Sequence, residues 1–279
     1  MLNFMLITFY DSTVFEKRAI LMPNRLTVFA IAAHPDDIEF MMSGTLILLK
    51  QAGADVHYMN IANGCYGSAV YSKEETARIR TLEAQNAARL IGATFHPPIA
   101  DDIGIFYTPE LLAKVSASVR EVAPDIVLTL SRNDYMEDHE YASRLASSAA
   151  FNRCLGPYVT DPPRPPTHKP VAVYHCLPHS LMDMQRVPVE PEFVVNVESV
   201  MDTRRAMLAC HASQKDWLDV SQGMGSYVAF MEERSREIAR RWGKGFSYAE
   251  GWRRHNHTGY CAEDFSPLQD ALGAFIRVC

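Results

Sequence analysis

The chain has 279 residues, of which 48% are hydrophobic and 22% are charged, and its formal net charge at pH 7 is −6. This composition is typical of a globular protein with a substantial core, which excludes a disordered chain. The acidic balance argues against a broad nucleic-acid-binding surface, and the lack of a long apolar run argues against a membrane partner. The length suits one large α/β domain.

The cysteines and the first residues bear on compartment and domain organisation. The six cysteines are scattered and include no C-x-x-C pair, so they provide neither a disulfide framework nor a cysteine zinc site. A reducing, cytoplasmic compartment is the simplest interpretation. Residues 1–21 lack the basic start and the cleavage site of a secretory signal, and we interpret them as a non-core N-terminal extension. Residues 22–279 are then expected to form a single domain, with a C-terminal extension from about residue 220.

The first half of the chain alternates between short apolar runs and helical patterns. The apolar runs, which predict buried strands, are residues 26–33, 55–62 and 125–130. The helical patterns cover residues 37–50, 72–92, 108–124 and 138–151. Such alternation predicts right-handed βαβ units. We therefore expect a Rossmann-like α/β fold, with a mainly parallel sheet and helices on both faces.

The second half of the chain is less regular. Residues 161–170 are rich in proline and predict a loop. Residues 171–177 and 192–198 predict two further strands, and residues 199–218 and 224–241 predict two helices. No internal repeat is present, so we interpret this half as a C-terminal elaboration of the same domain.

The first predicted strand ends in a cluster of titratable side chains, residues 33–37 (AHPDD). In open parallel sheets, ligands bind in the crevice at the carboxyl ends of the strands. One imidazole, from His34, and two carboxylates, from Asp36 and Asp37, suit a divalent metal, because zinc accepts both kinds of ligand. One carboxylate can then bind the metal while the other acts as a base. The alternative is a loop in which the aspartates cap the next helix.

A second cluster, residues 131–140 (SRNDYMEDHE), again lies where a predicted strand ends and a helix begins. His139 in this cluster, together with His34 and Asp37, would complete a three-ligand metal site that is open to water. Asp138 and Glu140 are placed to orient an imidazole. Taken alone, the cluster would be an acidic helix start. Two such clusters at the same edge of one sheet favour a metal site.

These residues resemble the motifs of a known family. Residues 33–37 resemble the A-H-P-D-D signature of the PIG-L/LmbE-like zinc-dependent N-deacetylases, and the second cluster resembles that family's later D-H element. The resemblance extends over about residues 26–220. Weaker matches in the same order are Asn63-Gly64, Arg80-x-x-Glu83 and His211. The resemblance implies a zinc-dependent hydrolase that removes an acyl group, typically acetyl, from an N-acylated amine such as an N-acetylglucosamine conjugate.

The resemblance also assigns roles to single residues. It makes His34, Asp37 and His139 the ligands of a Zn²⁺ cofactor. It makes Asp36 the general base, which later protonates the leaving amine, and it leaves Asp138 as a second catalytic candidate. The implied partner is a small N-acylated substrate, and the sequence leaves open whether the chain forms a homo-oligomer.

Four residues are candidates for substrate binding: Asn63, Arg80, Asp102 and His255. In the family pattern Arg80 lies near the pocket, where it would contact a sugar or an anionic group; the alternative is a surface pair with Glu83. Asn63 and Asp102 lie in polar segments that turn chemistry alone would explain. His255 lies in a run of aromatic and cationic residues, which suits either a pocket rim or a surface contact.

One position departs from the family. Many members carry H-P-D-H in the second motif, where the first histidine helps to polarise the substrate carbonyl. This chain has Met136 at that position, and a thioether cannot donate a hydrogen bond. We therefore expect His255, His257 or Tyr135 to take this role.

Two other functions are alternatives. The first is a metal-dependent hydratase or lyase that acts on a small oxoacid, because one scaffold can support several reactions. The second is a nucleotide-binding module, which would require G-x-G-x-x-G after the first strand. The chain has His-Pro-Asp-Asp there instead, and these carboxylates would repel a pyrophosphate.

Overall fold

The computed structural model describes residues 25–214 and 227–279. The predicted extension over residues 1–21 and the predicted boundary near residue 220 lie outside these residues. The strands are β1 (Thr27–Ala32), β2 (Asp55–Asn60), β3 (Thr94–His96), β4 (Ile126–Thr129), β5 (Ala172–Cys176), β6 (Phe193–Asn196), β7 (Ala249–Arg254) and β8 (Ile276–Val278). The helices are α1 (Asp37–Met41), α2 (Ser43–Gln51), α3 (Lys73–Leu90), α4 (Pro109–Val122), α5 (Glu137–Asn152), α6 (Met201–Ala209), α7 (Tyr227–Trp242) and α8 (Pro267–Leu272).

The eight strands form one sheet in the order β3-β2-β1-β4-β5-β7-β6-β8. The first five pair in parallel, as the alternation of strands and helices predicts. Every residue from Val28 to Ala32 is completely buried. A strand buried along its whole length must be covered on both faces of the sheet. The expected α/β fold is therefore confirmed.

The last three strands of the sheet pair antiparallel. The run of aromatic and cationic residues that contains His255 is expected at a pocket rim or surface, but most of this run, residues 250–257, is strand β7, which includes Glu250 and Trp252. Both of these side chains are buried, because β7 lies between β5 and β6. The sequence pattern did not indicate this strand, since β7 acquires its neighbours only from distant parts of the chain.

Two helix starts agree with their predicted caps. The Ser72 hydroxyl accepts a hydrogen bond from the Glu75 backbone N–H at 3.2 Å, at the start of α3. The Thr108 hydroxyl likewise accepts from the Leu111 N–H at 3.2 Å, with Pro109 at the first helical position of α4. Each cap satisfies a backbone donor that has no partner within the helix.

The helix predicted over residues 37–50 is broken into α1 and α2 at Met42, whose φ is −140°. The first N–H groups of α2 bind a carboxylate from the other half of the chain. Glu250 on β7 accepts from the backbone N–H of Gly44 at 2.8 Å and of Thr45 at 2.7 Å. A carboxylate at a helix N-terminus both satisfies free donors and interacts favourably with the helix dipole. This tertiary contact explains a break that local propensity does not predict.

None of the helices in the described part of the chain combines the length and apolar character that crossing a bilayer requires.

Candidate active site

Two sequence clusters meet at the carboxyl edge of the parallel strands. The loop after β1 carries His34 and Asp37, and the start of α5, after β4, carries His139. All three side chains are buried, and one ligand atom from each lies within 4.8 Å of the others. The structure therefore brings together the three residues that the two motifs nominate for a metal, and these are called the metal-binding group below.

Each imidazole in this group lies between two carboxylates. His34 Nε2 is 3.0 Å from Asp138 Oδ2, and its Nδ1 is 3.6 Å from Asp37 Oδ2. His139 Nδ1 is 3.1 Å from Asp134 Oδ1, and its Nε2 is 3.3 Å from Asp37 Oδ1. Outer carboxylates of this kind orient metal-binding imidazoles. Sequence reasoning anticipated Asp138 in this position but missed Asp134, which lies five residues before His139.

The electrostatics of the group favour positive charge. Burial by itself would lower the pKa of His34, but its hydrogen bonds to Asp138 and Asp37 outweigh burial and raise that pKa to about 9. The pKa of His139 is raised well above its usual value in spite of burial, mainly by the charge of Asp37. The pKa of Asp37 is lowered well below its usual value against burial, mainly by the charge of His139. Such a group is suited to a cation.

The helix-capping alternative for the first cluster does not describe what its side chains do. Asp36 occupies the N-cap position of α1 but makes no side-chain hydrogen bond to the helix. The Asp37 carboxylate instead accepts from the His34 backbone N–H at 2.7 Å. Asp36 has a φ of 102°, in the left-handed region that residues other than glycine rarely occupy. Such strain often marks functional sites.

Asp36 lies beside the metal-binding group in contact with Arg80. Arg80 Nη2 donates to the Pro35 carbonyl at 2.6 Å and to Asp36 Oδ2 at 3.3 Å. Burial raises the pKa of Asp36 to about 6, and the charge of Arg80 opposes that rise. A carboxylate with a pKa near 6 can both accept and return a proton near neutral pH.

The surface-pair alternative for Arg80 is excluded. Arg80 is only 3% exposed and reaches from α3 into the site. The Glu83 carboxylate binds elsewhere, accepting from the Ser213 backbone N–H at 2.9 Å and from the Ser213 hydroxyl at 2.6 Å. Arg80 therefore contacts the site, as the family pattern implied.

Asp102 and Asn63 occupy different positions relative to the site. Asp102 borders it, but its oxygens accept from the backbone N–H groups of Gly64 at 2.6 Å and Tyr66 at 3.1 Å. Asn63 does not border it, and its side chain binds Asp101 at 2.7 Å. Asn63 therefore lies outside the site, and Asp102 holds residues 64–66 as a loop at the edge of the site.

A cavity of about 480 Å³ opens above the metal-binding group. Its apolar lining is largely aromatic, and its polar lining combines charged and neutral side chains. The aromatic residues are Phe40, Tyr66, Tyr135, Tyr227 and Phe230. The polar residues beyond the metal-binding group include Asp36, Arg80, Asp102, His179, Ser180 and Gln214. The volume is within the range of sites that bind small molecules.

His179 lies in this cavity, although sequence reasoning gave it no role. Its Nε2 is 3.6 Å from Asp37 Oδ1 and has no hydrogen-bond partner among the described residues. Its ring packs against Phe40, with 4.5 Å between the ring centroids. Burial lowers the pKa of His179 to about 4, so the imidazole is neutral at neutral pH. The sequence signal that could have identified His179 is its position just after β5. β5 is the next parallel strand, so its carboxyl end lies at the same edge of the sheet as those of β1 and β4.

His255 and His257 do not line the cavity, although both were expected to be able to replace the missing histidine at Met136. His255 lies against His175, with 2.9 Å between His255 Nδ1 and His175 Nε2. Because β7 runs antiparallel to β5, the residues after Arg254 are carried away from the edge where the parallel strands end. Of the three residues nominated for that role, Tyr135 lines the cavity.

Comparisons with known proteins bear on the family. Residues 29–150 match the family model PIG-L, described as GlcNAc-PI de-N-acetylase. The chain is similar to the diacetylchitobiose deacetylase of Thermococcus kodakarensis, with 28% identity over 241 residues that cover 81% of this chain and 82% of the relative. The resemblance to the PIG-L/LmbE-like deacetylases is thereby confirmed.

Solved structures show the same fold. One is the N,N'-diacetylchitobiose deacetylase from Pyrococcus horikoshii in complex with an inhibitor, with a TM-score of 0.70 and 21% identity over 91% of this chain and 92% of that one. Another is the 4-carboxy-2-hydroxymuconate hydratase GalB from Pseudomonas putida, with a TM-score of 0.66 and 20% identity over 83% of this chain and 96% of that one. Because these structures differ in activity, the fold alone does not decide the reaction.

Proposed function

We propose that this PIG-L/LmbE-like chain is a zinc-dependent hydrolase that removes an acetyl group from an N-acetylated amine, with N-acetylglucosamine-type conjugates as its substrates. The observation that carries the proposal is the buried group of His34, Asp37 and His139 at the base of a cavity of about 480 Å³. Asp36 borders the same cavity without being part of that group. A site for a metal and a separate base are thus adjacent.

The donor set fits zinc. Two imidazole nitrogens and one carboxylate leave a fourth position open, as in catalytic zinc sites. Asp134 and Asp138 bind the remaining ring nitrogens and hold the imidazoles in place. A zinc ion held there would supply Lewis acidity, which polarises a carbonyl and makes water nucleophilic near neutral pH.

Asp36 performs the proton transfers in this proposal. It accepts a proton from water as the water oxygen attacks the amide carbon, and it returns the proton to nitrogen as the C–N bond breaks. The products are acetate and a free amine. Arg80 holds the Asp36 carboxylate through the 3.3 Å contact and limits the rise in its pKa.

We assign the stabilisation of the developing oxyanion to His179. Met136 cannot donate a hydrogen bond, whereas His179 Nε2 faces the metal-binding group with no partner among the described residues. A donor that is preorganised for a developing negative charge is a large contributor to catalysis. His179 thus replaces the histidine that the second motif lacks.

The cavity walls suit an amino sugar. Aromatic rings such as Phe230 and Tyr66 offer apolar faces to a sugar ring, while Asp102, Ser180 and Gln214 border the cavity with polar groups. Gln214 Oε1 has no hydrogen-bond partner in the part of the chain that the structure describes. A few polar groups in a mostly apolar cavity fix the orientation of a ligand.

We also propose that residues 22–279 form one domain and that the enzyme is cytoplasmic. The single hydrophobic core of the described residues extends from Val28 to Leu272, which supports one domain. All six cysteines are unpaired, which is compatible with a reducing compartment.

The test uses the zinc-loaded full chain with N-acetylglucosamine, diacetylchitobiose and N-acetylglucosaminyl glycosides. We expect acetate and primary amine to be released in equal amounts, and we expect the release to stop after chelation and to return with zinc. Chelated protein and the Asp36→Asn variant serve as controls. Hydration of an unsaturated oxoacid, with no amine release from any acetylated amine, would instead support the hydratase alternative.

A further inference from the structure

A second cleft, of about 260 Å³, opens on the other side of residues 131–136. Ser131, Arg132 and Asn133 line this second cleft, whereas Tyr135 and Met136 line the cavity of the candidate active site. Its remaining walls include side chains from β5, from β7 and from the segment after β7. The proposed deacetylation uses none of these side chains.

The second cleft is rich in positive charge, although the chain as a whole has a net charge of −6. Arg132, Arg253 and Arg254 line it, together with one carboxylate, that of Glu192. The Arg254 guanidinium is bound by carbonyls, including that of Phe265 at 2.8 Å, so it contributes its charge but few free donors. Glu192 is exposed, and its Oε2 accepts from the Arg254 backbone N–H at 3.1 Å.

Most donors of Arg132 and Arg253 have no partner among the described residues. Within that part of the chain, Arg132 makes one side-chain hydrogen bond, to the Ser147 hydroxyl at 3.2 Å. No carboxylate of the described residues lies within ion-pair distance of Arg132 or Arg253. Arg253 is placed opposite His175 by the pairing of β5 with β7. Unpaired guanidinium groups that converge on a cleft match the geometry of carboxylates and phosphates.

The two histidines of the cleft are arranged so that one nitrogen is available to a ligand. His175 Nδ1 is 2.9 Å from the Leu130 carbonyl, which only accepts, so this nitrogen carries the proton. Neutral His175 then accepts at Nε2 from His255 Nδ1 at 2.9 Å. His255 Nε2 is left as an acceptor when His255 is neutral, and it becomes a donor when His255 is protonated.

We propose that the second cleft is an oxyanion-binding site, which takes a phosphate or carboxylate group on Arg132, Arg253 and His255. The two guanidinium groups supply charge-assisted hydrogen bonds. In the free protein, burial and the charge of Arg132 lower the pKa of His255. A bound anion offsets that charge, so binding takes up a proton and strengthens as the pH falls.

Several charged or titratable groups surround His255 and set the charge around its ring. They are Arg132 from the loop after β4, His175 on β5, Glu192 before β6, Arg253 and Arg254 on β7, and Tyr260 after β7. Glu192 alone is negative, and it is exposed to solvent. Added anion charge in the cleft therefore compensates an excess of positive charge.

The first test is calorimetric titration of the zinc-loaded protein with inorganic phosphate. We expect saturable binding that Arg132→Gln and Arg253→Gln each weaken by about 10–100-fold, which corresponds to the loss of one charged hydrogen bond. Arg240→Gln makes the same change of charge at an exposed position on α7 and is expected to leave the affinity unchanged. The absence of saturable binding at millimolar phosphate, or equal affinity in all variants, would overturn the proposal.

One further variant separates this site from the metal site. His139→Ala is expected to keep the phosphate binding that depends on Arg253, and its loss in that variant would place the anion at the metal instead. Sulfate, whose charge is constant near neutral pH, is expected to bind more tightly at pH 6 than at pH 8, with the difference reduced in His255→Asn. Tighter binding of phosphate than of acetate would indicate a phosphate-bearing ligand, and the reverse a carboxylate-bearing one. This proposal does not depend on the deacetylase activity.

Discussion

Two pairs of histidines lie on either side of residues 131–136, and their surroundings differ in charge. The rings of His34 and His139, 5.5 Å apart between centroids, are in contact with carboxylates. The rings of His175 and His255, 5.1 Å apart, share their cleft with arginines. Burial lowers the pKa of a histidine in both places, yet the pKa of His34 is raised to about 9 and that of His175 is lowered to about 3. The neighbours, rather than the residue type, decide which charge each pair attracts.

The segment between the two pairs contributes a charged residue to each side. Asp134 binds His139 in the candidate metal site, and Arg132, two residues earlier, lines the second cleft. One short loop thus supplies opposite charges to two adjacent cavities. We therefore expect that substitutions in the second cleft leave zinc binding and deacetylation intact, and that substitutions at the candidate metal site leave anion binding in the second cleft intact.

The largest expected effect is the loss of metal from the candidate metal site around His34 and His139, which we call the carboxylate side. His139→Ala should remove most of the bound zinc and reduce deacetylation to background, because it deletes one of the three proposed ligands. His255→Ala, which removes an imidazole from the second cleft, should keep both the zinc and the deacetylase activity. Metal analysis of the purified variants checks this, and full zinc occupancy in His139→Ala would contradict the ligand assignment.

A second prediction separates the metal ligands from the base. Asp36→Asn should retain zinc but lower kcat by about 10²–10⁴-fold, the usual range for general acid–base catalysis. The matched control is Asp101→Asn, because Asp101 binds Asn63 and Lys73 outside the metal-binding group. Kinetics and metal content are measured together. Loss of zinc from Asp36→Asn would show that the roles of Asp36 and Asp37 are reversed.

A third prediction concerns His179, which lies on the carboxylate side but is not among the three ligands. His179→Leu should retain zinc and lower kcat by about 10²–10³-fold, as expected for the loss of one oxyanion donor. Met136→His in the wild-type background should raise kcat little, because in our proposal His179 already fills the role. A hundredfold rise in Met136→His would show that the wild-type enzyme lacks such a donor.

A fourth prediction compares two side chains that contact the Nδ1 atoms of histidines, Asp134 beside His139 and Ser143 beside His175. Asp134→Asn should weaken zinc binding by about 10–100-fold, the usual effect of removing a partner that orients a ligand. Ser143→Ala removes the hydroxyl that lies 3.0 Å from His175 Nδ1 and should leave zinc affinity unchanged. Competition with a chelator gives both affinities. Equal losses in the two variants would contradict the separation of the two sides.

The last prediction concerns acid stability. The pKa of His175 falls from 6.5 to about 3 on folding, mainly because the side chain is buried. The unfolded chain therefore binds this proton more readily, and the free energy of unfolding falls as the pH decreases from about 6.5 toward 3. His175→Gln should make this dependence shallower, whereas His168→Gln, at an exposed position, should not. Urea unfolding at several pH values measures the slopes, and equal slopes in all three proteins would contradict the assignment.

The sequence was sufficient to predict the parallel half of the sheet. Apolar runs at β1, β2 and β4 stand out because these strands are buried on both faces, and the caps at Ser72 and Thr108 are local signals. The antiparallel half was predicted in part, since β7 depends on pairing with β5 and β6. Its sequence, AEGWRR, has no apolar run. Strands that depend on tertiary context leave a weak trace in sequence.

The residues of the two sites show the same contrast between local sequence signals and contacts that depend on tertiary pairing. His34, Asp37 and His139 could be connected because each lies at the end of a recognisable strand, at one edge of the sheet. His179 also follows a strand, but it stands outside any motif and was given no role. His255 is 80 residues from His175 in sequence, and their contact follows from an antiparallel pairing that the pattern did not indicate.

The contact between Glu250 and the start of α2 has a consequence for the smallest unit that can fold. The motifs for the metal lie within residues 29–150, the segment that matches the family model. Yet the first N–H groups of α2 bind the carboxylate of Glu250, which lies on β7. The same carboxylate is 3.1 Å from the guanidinium of buried Arg204. A fragment that ended near residue 150 would leave these N–H groups without their acceptor and would expose the edge of β4. We therefore expect that the motif-bearing segment does not fold as an autonomous module, and that the terminal third of the chain is part of the scaffold of the candidate active site.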